Sequence, residues 1–277
     1  MKAQTNLKIL LDDSLITYYY VGFILADGHV EDGKRLSVLL SAKDSAFLDK
    51  MAKYLGIKSV KQGKKKYKDK NVDVVYFSAQ DSEYMPQIVR KFEIKSDKTH
   101  FPPSVNIFKK MTREQALSLF IGFIDGDGSI KKLNNRPDWN ICIKCHKSWL
   151  PILSFFSVLL LGNDFAHVNT YGYSSLILSN TKKTKELKKF AIANSLPIMD
   201  RKWDNVNLSY VGKVENAETR LDEIKKMCIF GKSINEISKE TGLKYPTVYA
   251  LIQRNNIIVK KYEKRGRRRT QSDASCC

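Results

Sequence analysis

Hydrophobic and polar residues follow three patterns along the chain. Between Arg35 and Ala42 every second residue is apolar, which predicts a strand with one buried face. From Asp44 to Gly56 apolar residues recur at helical spacing, which predicts an amphipathic helix that Asp44 caps and Gly56 ends. Two other runs, within Tyr20 to Val30 and Leu119 to Ile130, are continuously apolar but shorter than the ~20 residues of a membrane span. They predict buried helices.

The same patterns predict one order of elements that occurs twice. The first half has helices at Leu15 to Ala26, Asp44 to Leu55 and Asp81 to Phe92, a strand-like start directly after Asp27-Gly28, a turn at Glu31 to Lys34, and strands at Arg35 to Ala42, Ser59 to Tyr67 and Asn71 to Ala79. The second half has helices after Thr112, at Ser148 to Leu161 and at Lys182 to Asn194, strands at Ser129 to Leu133 and Trp139 to Cys145 around a turn at Asn134 to Pro137, and a hairpin around Tyr171-Gly172-Tyr173. We expect an α+β fold, a tandem αββαββα pseudo-dimer with two antiparallel, saddle-like sheets. The residues from Asn6 to Ser14 are interpreted as a polar lead within reach of DNA.

The two apolar runs end in the same way. The second run, Leu119 to Ile130, has a weaker copy at Tyr20 to Val30, and the copies align on Asp27-Gly28 and Asp127-Gly128. We interpret this as a duplicated unit.

Small residues mark one face of each run. Gly22 and Ala26 in the first copy, and Gly122 and Gly126 in the second, are four residues apart and so share a helix face. Small side chains allow two helix backbones to approach closely. Gly22 and Gly122 are therefore the predicted interface between the two halves.

Such packing would bring two acids together. If the helices meet on their small-residue faces, Asp27 and Asp127 lie side by side at the C-terminal ends. Neighbouring carboxylates repel unless a cation lies between them, and hard oxygen ligands with remaining water favour Mg²⁺ over zinc. The alternative for either run alone is a plain core helix that ends in an Asp.

Both copies resemble the LAGLIDADG motif of homing endonucleases, the second nearly letter for letter in Gly-Phe-Ile-Asp-Gly-Asp-Gly-Ser. The resemblance implies a single-chain pseudo-dimer whose motif helices form the interface. It implies metal binding at Asp27 and Asp127, with Ala26 and Gly126 beside them, and Mg²⁺ as cofactor with Mn²⁺ as a substitute. The first copy departs from the pattern at Leu25.

The resemblance also implies a basic residue near each scissile phosphate. Lys98 follows Ile94, and Lys202 follows Ile198, at the same spacing after the last helix of each half. Fixed cations there would stabilise charge on the phosphoryl group. Lys95 and Arg201 are competing candidates, and ordinary surface lysines are the alternative interpretation.

Charge favours a polyanionic partner. The 277 residues have a net charge of +19, and no apolar signal segment precedes the first helix. Five scattered cysteines indicate reduced thiols, so we expect an intracellular protein of the cytoplasm or nucleoid. The hairpin of strands Ser59 to Tyr67 and Asn71 to Ala79 is predicted to bind phosphates, and a solvated loop is the alternative. Its lysines are Lys61, Lys64, Lys65, Lys66 and Lys68.

The C-terminal part differs in character. Residues 217–260 resemble a helix-turn-helix, with Gly242 at the turn and Pro246 in the first turn of the second helix. The predicted major-groove residues are Tyr245, Thr247, Tyr249, Gln253 and Arg254. Residues 261–277 form a basic tail, predicted to be disordered, whose phosphate-binding residues are Arg267, Arg268 and Arg269.

We therefore expect LAGLIDADG-like units at 1–105 and 106–212, followed by a DNA-binding domain and the tail. The expected function is metal-dependent cleavage of double-stranded DNA at a long asymmetric site by a monomer that does not bind membranes. One alternative is a DNA-binding regulator on the same fold that does not cleave. The other is a maturase that binds intron RNA.

Overall fold

A computed structural model describes residues 5–132, 139–209 and 220–258. The chain divides into two compact units, residues 1–210 and residues 211–277. The predicted turn at Asn134 to Pro137, with Leu133, and the basic tail with Arg267, Arg268 and Arg269 lie outside the described residues. In the part of the chain that the structure describes, no helix is long and apolar enough to cross a membrane.

The first unit contains the same order of elements twice, with two additional short helices in the second half. In the first half the helices are α1 (Leu15–Asp27), α2 (Ser45–Tyr54) and α3 (Met85–Phe92), and the strands are β1 (Gly28–Glu31), β2 (Arg35–Ser41), β3 (Lys61–Tyr67) and β4 (Lys70–Gln80). In the second half the helices are α4 (Val105–Lys109), α5 (Arg113–Asp127), α6 (Leu150–Leu161), α7 (Thr181–Ala193) and α8 (Asp200–Trp203), and the strands are β5 (Ser129–Lys132), β6 (Trp139–His146), β7 (His167–Val168) and β8 (Tyr173–Leu178). Short 3-10 helices occur at Leu7–Leu11, Ala42–Asp44 and Lys147–Trp149.

The strands form two antiparallel sheets of the same topology. Their orders are β1-β2-β4-β3 and β5-β6-β8-β7. The alternation of β2 holds, because Leu36, Val38 and Leu40 are all buried. The predicted α+β fold with two antiparallel sheets is confirmed.

The two motif helices begin and end at defined local signals. The Ser14 side chain accepts a hydrogen bond from the backbone N–H of Thr17, and Thr112 forms a capping box with Gln115. At the other end, the N–H groups of Gly28 and Gly128 each donate to a carbonyl of the last helical turn, and the chain continues in extended conformation. Each motif Asp is therefore the last residue of its helix.

The interpretation of Asn6 to Ser14 as a polar lead is wrong. Leu7 and Leu10 are fully buried in the main core, on the 3-10 helix Leu7–Leu11. The N–H of Asn6 also donates to the carbonyl of Leu55 at 2.9 Å. The spacing of these two leucines, three residues apart, indicates a helical turn with one buried face, but the polar residues around them made the segment look exposed.

Asp44 directly precedes α2 as predicted, but its predicted capping bond is absent, and the predicted start of α3 is wrong. The Asp44 carboxylate does not cap α2, because Arg201 of the second half binds both of its oxygens. Asp81 does not begin α3 either. Its carboxylate accepts from the N–H groups of Glu83 and Tyr84, which forms a local turn before the helix.

The second unit contains three described helices, at Leu221–Ile229, Ile234–Thr241 and Tyr245–Arg254. A capping box of Ser233 and Glu236 begins the second of them, and Gly242 ends it with φ +66°. Its separate core consists of Ile224, Cys228, Ile237, Val248, Leu251 and Ile252. The assignment of these helices to a helix-turn-helix stays a prediction.

Candidate active site

Helices α1 and α5 cross at backbone contact distance. A Cβ on Gly22 would lie 1.9 Å from the carbonyl oxygen of Leu119, and a Cβ on Gly122 would lie 1.9 Å from that of Tyr19. No side chain fits between the helices at either point. The structure thus places both predicted interface glycines at backbone contacts between the two helices.

The same packing continues to the ends of the helices. A Cβ on Gly126 would lie 2.3 Å from the Cβ of Ala26 and 3.3 Å from the backbone nitrogen of Asp27. Because the contacts advance together along both chains, the helices run in the same direction. Asp27 and Asp127 therefore lie at adjacent C-terminal ends.

The two carboxylates have no protein partner. Among the described residues, neither Asp27 nor Asp127 accepts a hydrogen bond or forms an ion pair. Both are open to solvent on one side, yet the protein packed around them raises both pKa values. Burial, and then the charge of Asp127, raises the pKa of Asp27 to about 6. The site is thus short of positive charge.

Two lysines approach these carboxylates from the segments after α3 and α7. Lys98 Nζ donates to the carbonyl of Ala26 at 2.9 Å, and Lys202 Nζ donates to that of Gly126 at 2.8 Å. Burial lowers the pKa of both ammonium groups, and the charges of Asp27 and Asp127 oppose that change. The two carbonyls next to the motif acids, predicted to belong to the metal site, thus each accept a lysine.

The competing basic residues have other contacts. The Lys95 ammonium lies 5.7 Å from the ring centroid of Phe101. Arg201 binds the Asp44 carboxylate through two nitrogens, at 2.7 and 2.9 Å, which joins the second half to the first. Lys98 and Lys202 are therefore the basic residues that the structure brings to the motif acids.

One buried acid of the site received no role from the sequence. Asp125 is 1% exposed and accepts from Tyr19 Oη at 2.6 Å, Trp203 Nε1 at 2.7 Å and the backbone N–H of Met199 at 3.0 Å. Burial raises its pKa to about 6, against the effect of these three donors. These contacts join α5 to α1 and α8. In the sequence, the only sign of this role was an acid inside an otherwise apolar run.

The Lys98 segment is held by the opposite half of the unit. Trp149 Nε1 donates to the carbonyl of Lys98 at 3.1 Å, and Ser148 Oγ donates to the carbonyl of Thr99 at 3.0 Å. The Arg201 contact with Asp44 has the corresponding position in the other half. Each lysine segment is therefore fixed by the 3-10 helix that precedes the middle helix of the opposite half.

The donor set fits a hard divalent cation. Two unpartnered carboxylates with backbone carbonyls beside them are oxygen ligands, and Mg²⁺ typically takes one or two protein carboxylates and completes its shell with water and phosphate. Within the described ranges, no group of three or more His, Cys, Asp or Glu residues could hold a metal ion. The residues present therefore suit a cation shared with a phosphate ligand and do not suit a closed protein site.

The register of β3 divides the predicted phosphate-binding lysines between two faces. Lys61 lies opposite Tyr76, which pairs with half-exposed Leu39 on the solvent side of the sheet, and Lys65 is on the same side. Lys64 and Lys66 point to the other side. Lys68 lies in the turn between β3 and β4, with φ +53°.

The last helix of the second unit carries a polar and aromatic stripe. Tyr245 and Tyr249 are 45% and 48% exposed, and their rings stack with centroids 6.4 Å apart. Gln253 and Arg254 are exposed beyond them, and Thr247 is half-buried. Of the five residues predicted to face the major groove, four are exposed and Thr247 is less accessible.

No protein-family model and no curated protein matches the chain. In three dimensions the chain is similar to the LAGLIDADG homing endonuclease I-GzeII in complex with DNA target, at 11% identity and TM-score 0.44, over 76% of this chain and 95% of that one. It is also similar to I-SmaMI bound to cleaved DNA, at 15% identity and TM-score 0.45 over 76% and 94% of the two chains. A third similar structure is the I-LtrWI LAGLIDADG homing endonuclease bound to target DNA, at 12% identity and TM-score 0.41, over 89% of this chain and 98% of that one. These likenesses assign no role to any residue of this chain.

Proposed function

We propose that this protein is a metal-dependent endonuclease that cuts both strands of double-stranded DNA at a long asymmetric site. The observation that carries the proposal is the pair Asp27 and Asp127, two unpartnered carboxylates at the adjacent ends of helices packed at backbone contact. A protein that only bound DNA would gain nothing from two repelling, desolvated acids at its centre. Two lysines beside them match the needs of phosphoryl transfer.

In this mechanism Asp27 and Asp127 are the residues that would hold the divalent cation. When bound, Mg²⁺ would polarise a phosphate oxygen and lower the pKa of a coordinated water. Lys98 contributes an N–H donor toward the phosphoryl oxygens, where negative charge increases in the transition state. No protein nucleophile is needed, because water supplies the attacking oxygen.

The remaining described surface provides the DNA contacts. Lys61 and Lys65 lie on the solvent side of the first sheet, where they would neutralise backbone phosphates. Side chains of both sheets would contact base edges, and the two sheets differ in sequence, which gives an asymmetric site. The stripe around Tyr245 and Tyr249 would extend the contacts from the second unit.

The test is to incubate the purified protein with a randomised plasmid library and Mg²⁺, and to sequence all broken ends. Asp127→Asn is the matched control, because it keeps the side-chain size and removes the charge. We expect defined double-strand breaks that are lost in the control. Selective binding without cleavage in Mg²⁺ or Mn²⁺ would overturn the catalytic assignment and favour a DNA-binding regulator. Selective retention of structured RNA without DNA breaks would favour a maturase.

A further inference from the structure

The lysines of the two half-sites differ in how many hydrogen bonds they already make. Lys202 Nζ donates to the carbonyl oxygens of Ile124, Asp125, Gly126 and Gly128, at distances up to 2.9 Å. An ammonium group has three N–H donors. Four backbone acceptors therefore occupy all of them.

Lys98 makes one such bond. Its Nζ donates to the carbonyl of Ala26 at 2.9 Å and makes no other hydrogen bond to the described residues. Two of its three N–H donors are therefore available to a ligand. Of the two lysines, only Lys98 can bind a phosphate oxygen without first giving up protein contacts.

The difference has a structural cause in the motif itself. Asp125 fixes the ends of the segment that contains Lys202, because it accepts from the N–H of Met199 and from Trp203 Nε1. This holds the ammonium over the C-terminal carbonyls of α5, where a cation is favoured by the helix dipole. Leu25 has the corresponding position in α1 and cannot accept a hydrogen bond, so no motif carboxylate holds the Lys98 segment, which is bound instead by Trp149 and Ser148.

We propose that the two DNA strands are cut in a fixed order, first at the half-site served by Lys98, with a nicked intermediate. The inference rests on the proposed function. In each cut, the oxygen of water bonds to phosphorus, one phosphorus–oxygen bond to a sugar breaks, and the departing sugar oxygen takes up a proton. The N–H groups of Lys98 stabilise the charge on the other phosphoryl oxygens. Lys202 instead stabilises the end of α5 that positions Asp127.

The test uses the DNA site obtained from the library experiment, with a different fluorescent label on each strand. Wild-type protein should cut one strand first and accumulate a nicked product. Lys98→Met should slow cleavage of that same strand by ~100-fold, the usual effect of removing one transition-state donor. Lys202→Met should change the rates of both strands by a similar, smaller factor, because it weakens a shared scaffold.

Three results would overturn the inference. They are equal cutting rates for both strands in the wild type, an equal loss on both strands in Lys98→Met, or a larger loss on the second-cut strand. These outcomes differ from failure of the proposed function, in which wild-type protein cuts neither strand.

A measurement without DNA tests the structural basis separately. Brief treatment of the free protein with an amine-acylating reagent, followed by peptide mass spectrometry, compares the two amines directly. Lys98 should be labelled at least several-fold faster than Lys202, since only Lys202 has every N–H bound to protein. Asp125→Asn should raise the labelling of Lys202 and leave that of Lys98 unchanged. Equal labelling of the two lysines in the wild type would contradict the proposed difference.

Discussion

The two halves of the first unit share a backbone but differ in the polar contacts around their acids. The glycine contacts are the same in both, because Gly22 and Gly122 each face a carbonyl oxygen at a Cβ distance of 1.9 Å. The neighbours of the acids differ. The second half has a buried carboxylate, Asp125, where the first half has Leu25.

This comparison separates two kinds of constraint. The crossing of the helices depends on backbone atoms, which cannot move without shifting whole elements, so both halves need glycine there. The polar contacts depend on side chains that can be exchanged when their partners change with them. A duplicated fold can therefore keep its geometry while its two half-sites come to have different chemistry.

The largest effect is expected from adding a methyl group at the shared contact. Gly122→Ala and Gly22→Ala should each lower the free energy of unfolding by ~3 kcal/mol or more, because backbone must move to make room. The effects should be nearly equal, since the two distances are equal. Chemical denaturation measures both. Ala26→Gly is the control, which leaves the contact open and should cost ~1 kcal/mol through helix propensity.

A large difference between the two glycine variants would contradict the equivalence of the halves at the crossing. Retention of wild-type stability in both would show that the helices can separate without loss.

The next effect concerns the part of the site that differs. Asp125→Leu, which copies the first half, should cost ~2 to 3 kcal/mol, because three buried donors lose their acceptor. Denaturation at pH 7 checks this, with tryptophan fluorescence as the signal. Asp125→Asn, which keeps one acceptor oxygen, should cost less. A Leu variant as stable as the wild type would remove Asp125 as the cause of the difference.

The same residue predicts a pH dependence. Burial raises the pKa of Asp125 to about 6 in the folded protein, above its ordinary value, so the folded state binds the proton more tightly. Its contribution to stability is complete below pH ~4 and is lost as the pH rises through about 6. The stability difference between wild type and Asp125→Asn should therefore be larger at pH 4.5 than at pH 7.5. A difference that grows with pH would reverse this assignment.

A smaller effect is expected from the contact between the halves. Arg201→Ala removes both nitrogens that bind Asp44 and leaves that largely buried carboxylate without a partner. We expect a loss of ~1 to 3 kcal/mol, measured by denaturation. Asp44→Asn with Arg201→Ala, compared with each single variant, gives the coupling. A coupling near zero would mean that the pair does not fix the Lys202 segment.

Much of this architecture could be predicted from local patterns. The period of β2, the small residues four apart in each motif and the acid that ends each motif can all be read within a few residues of sequence. The contacts that distinguish the half-sites could not be predicted so. Asp44 follows the pattern of a helix cap, but its partner, Arg201, is far away in sequence. Asp125 likewise depends on Tyr19 and Trp203, which no spacing connects to it.

Metal binding should affect stability to a lesser degree. Mg²⁺ without DNA should raise the melting temperature of the wild type by a few degrees, because a ligand that binds only the folded state stabilises it. Asp27→Asn should abolish that rise. At neutral pH without metal the variant should be more stable than wild type, since it removes one of two repelling, desolvated carboxylates. NaCl at the same ionic strength controls for general screening, and an equal rise in both proteins would place the cation elsewhere.

The smallest effect is expected on the first sheet, where the strand register provides its own control. Lys61→Ala with Lys65→Ala removes two charges from the solvent side of β3, whereas Lys64→Ala with Lys66→Ala removes two from the opposite side. Net charge falls equally in both. Only the first pair should weaken DNA binding, by ~10-fold at moderate salt, and reduce the slope of log affinity against log salt by ~1 to 2. Equal losses in both pairs would mean that the lysines act through net charge and that the sheet has no preferred DNA side.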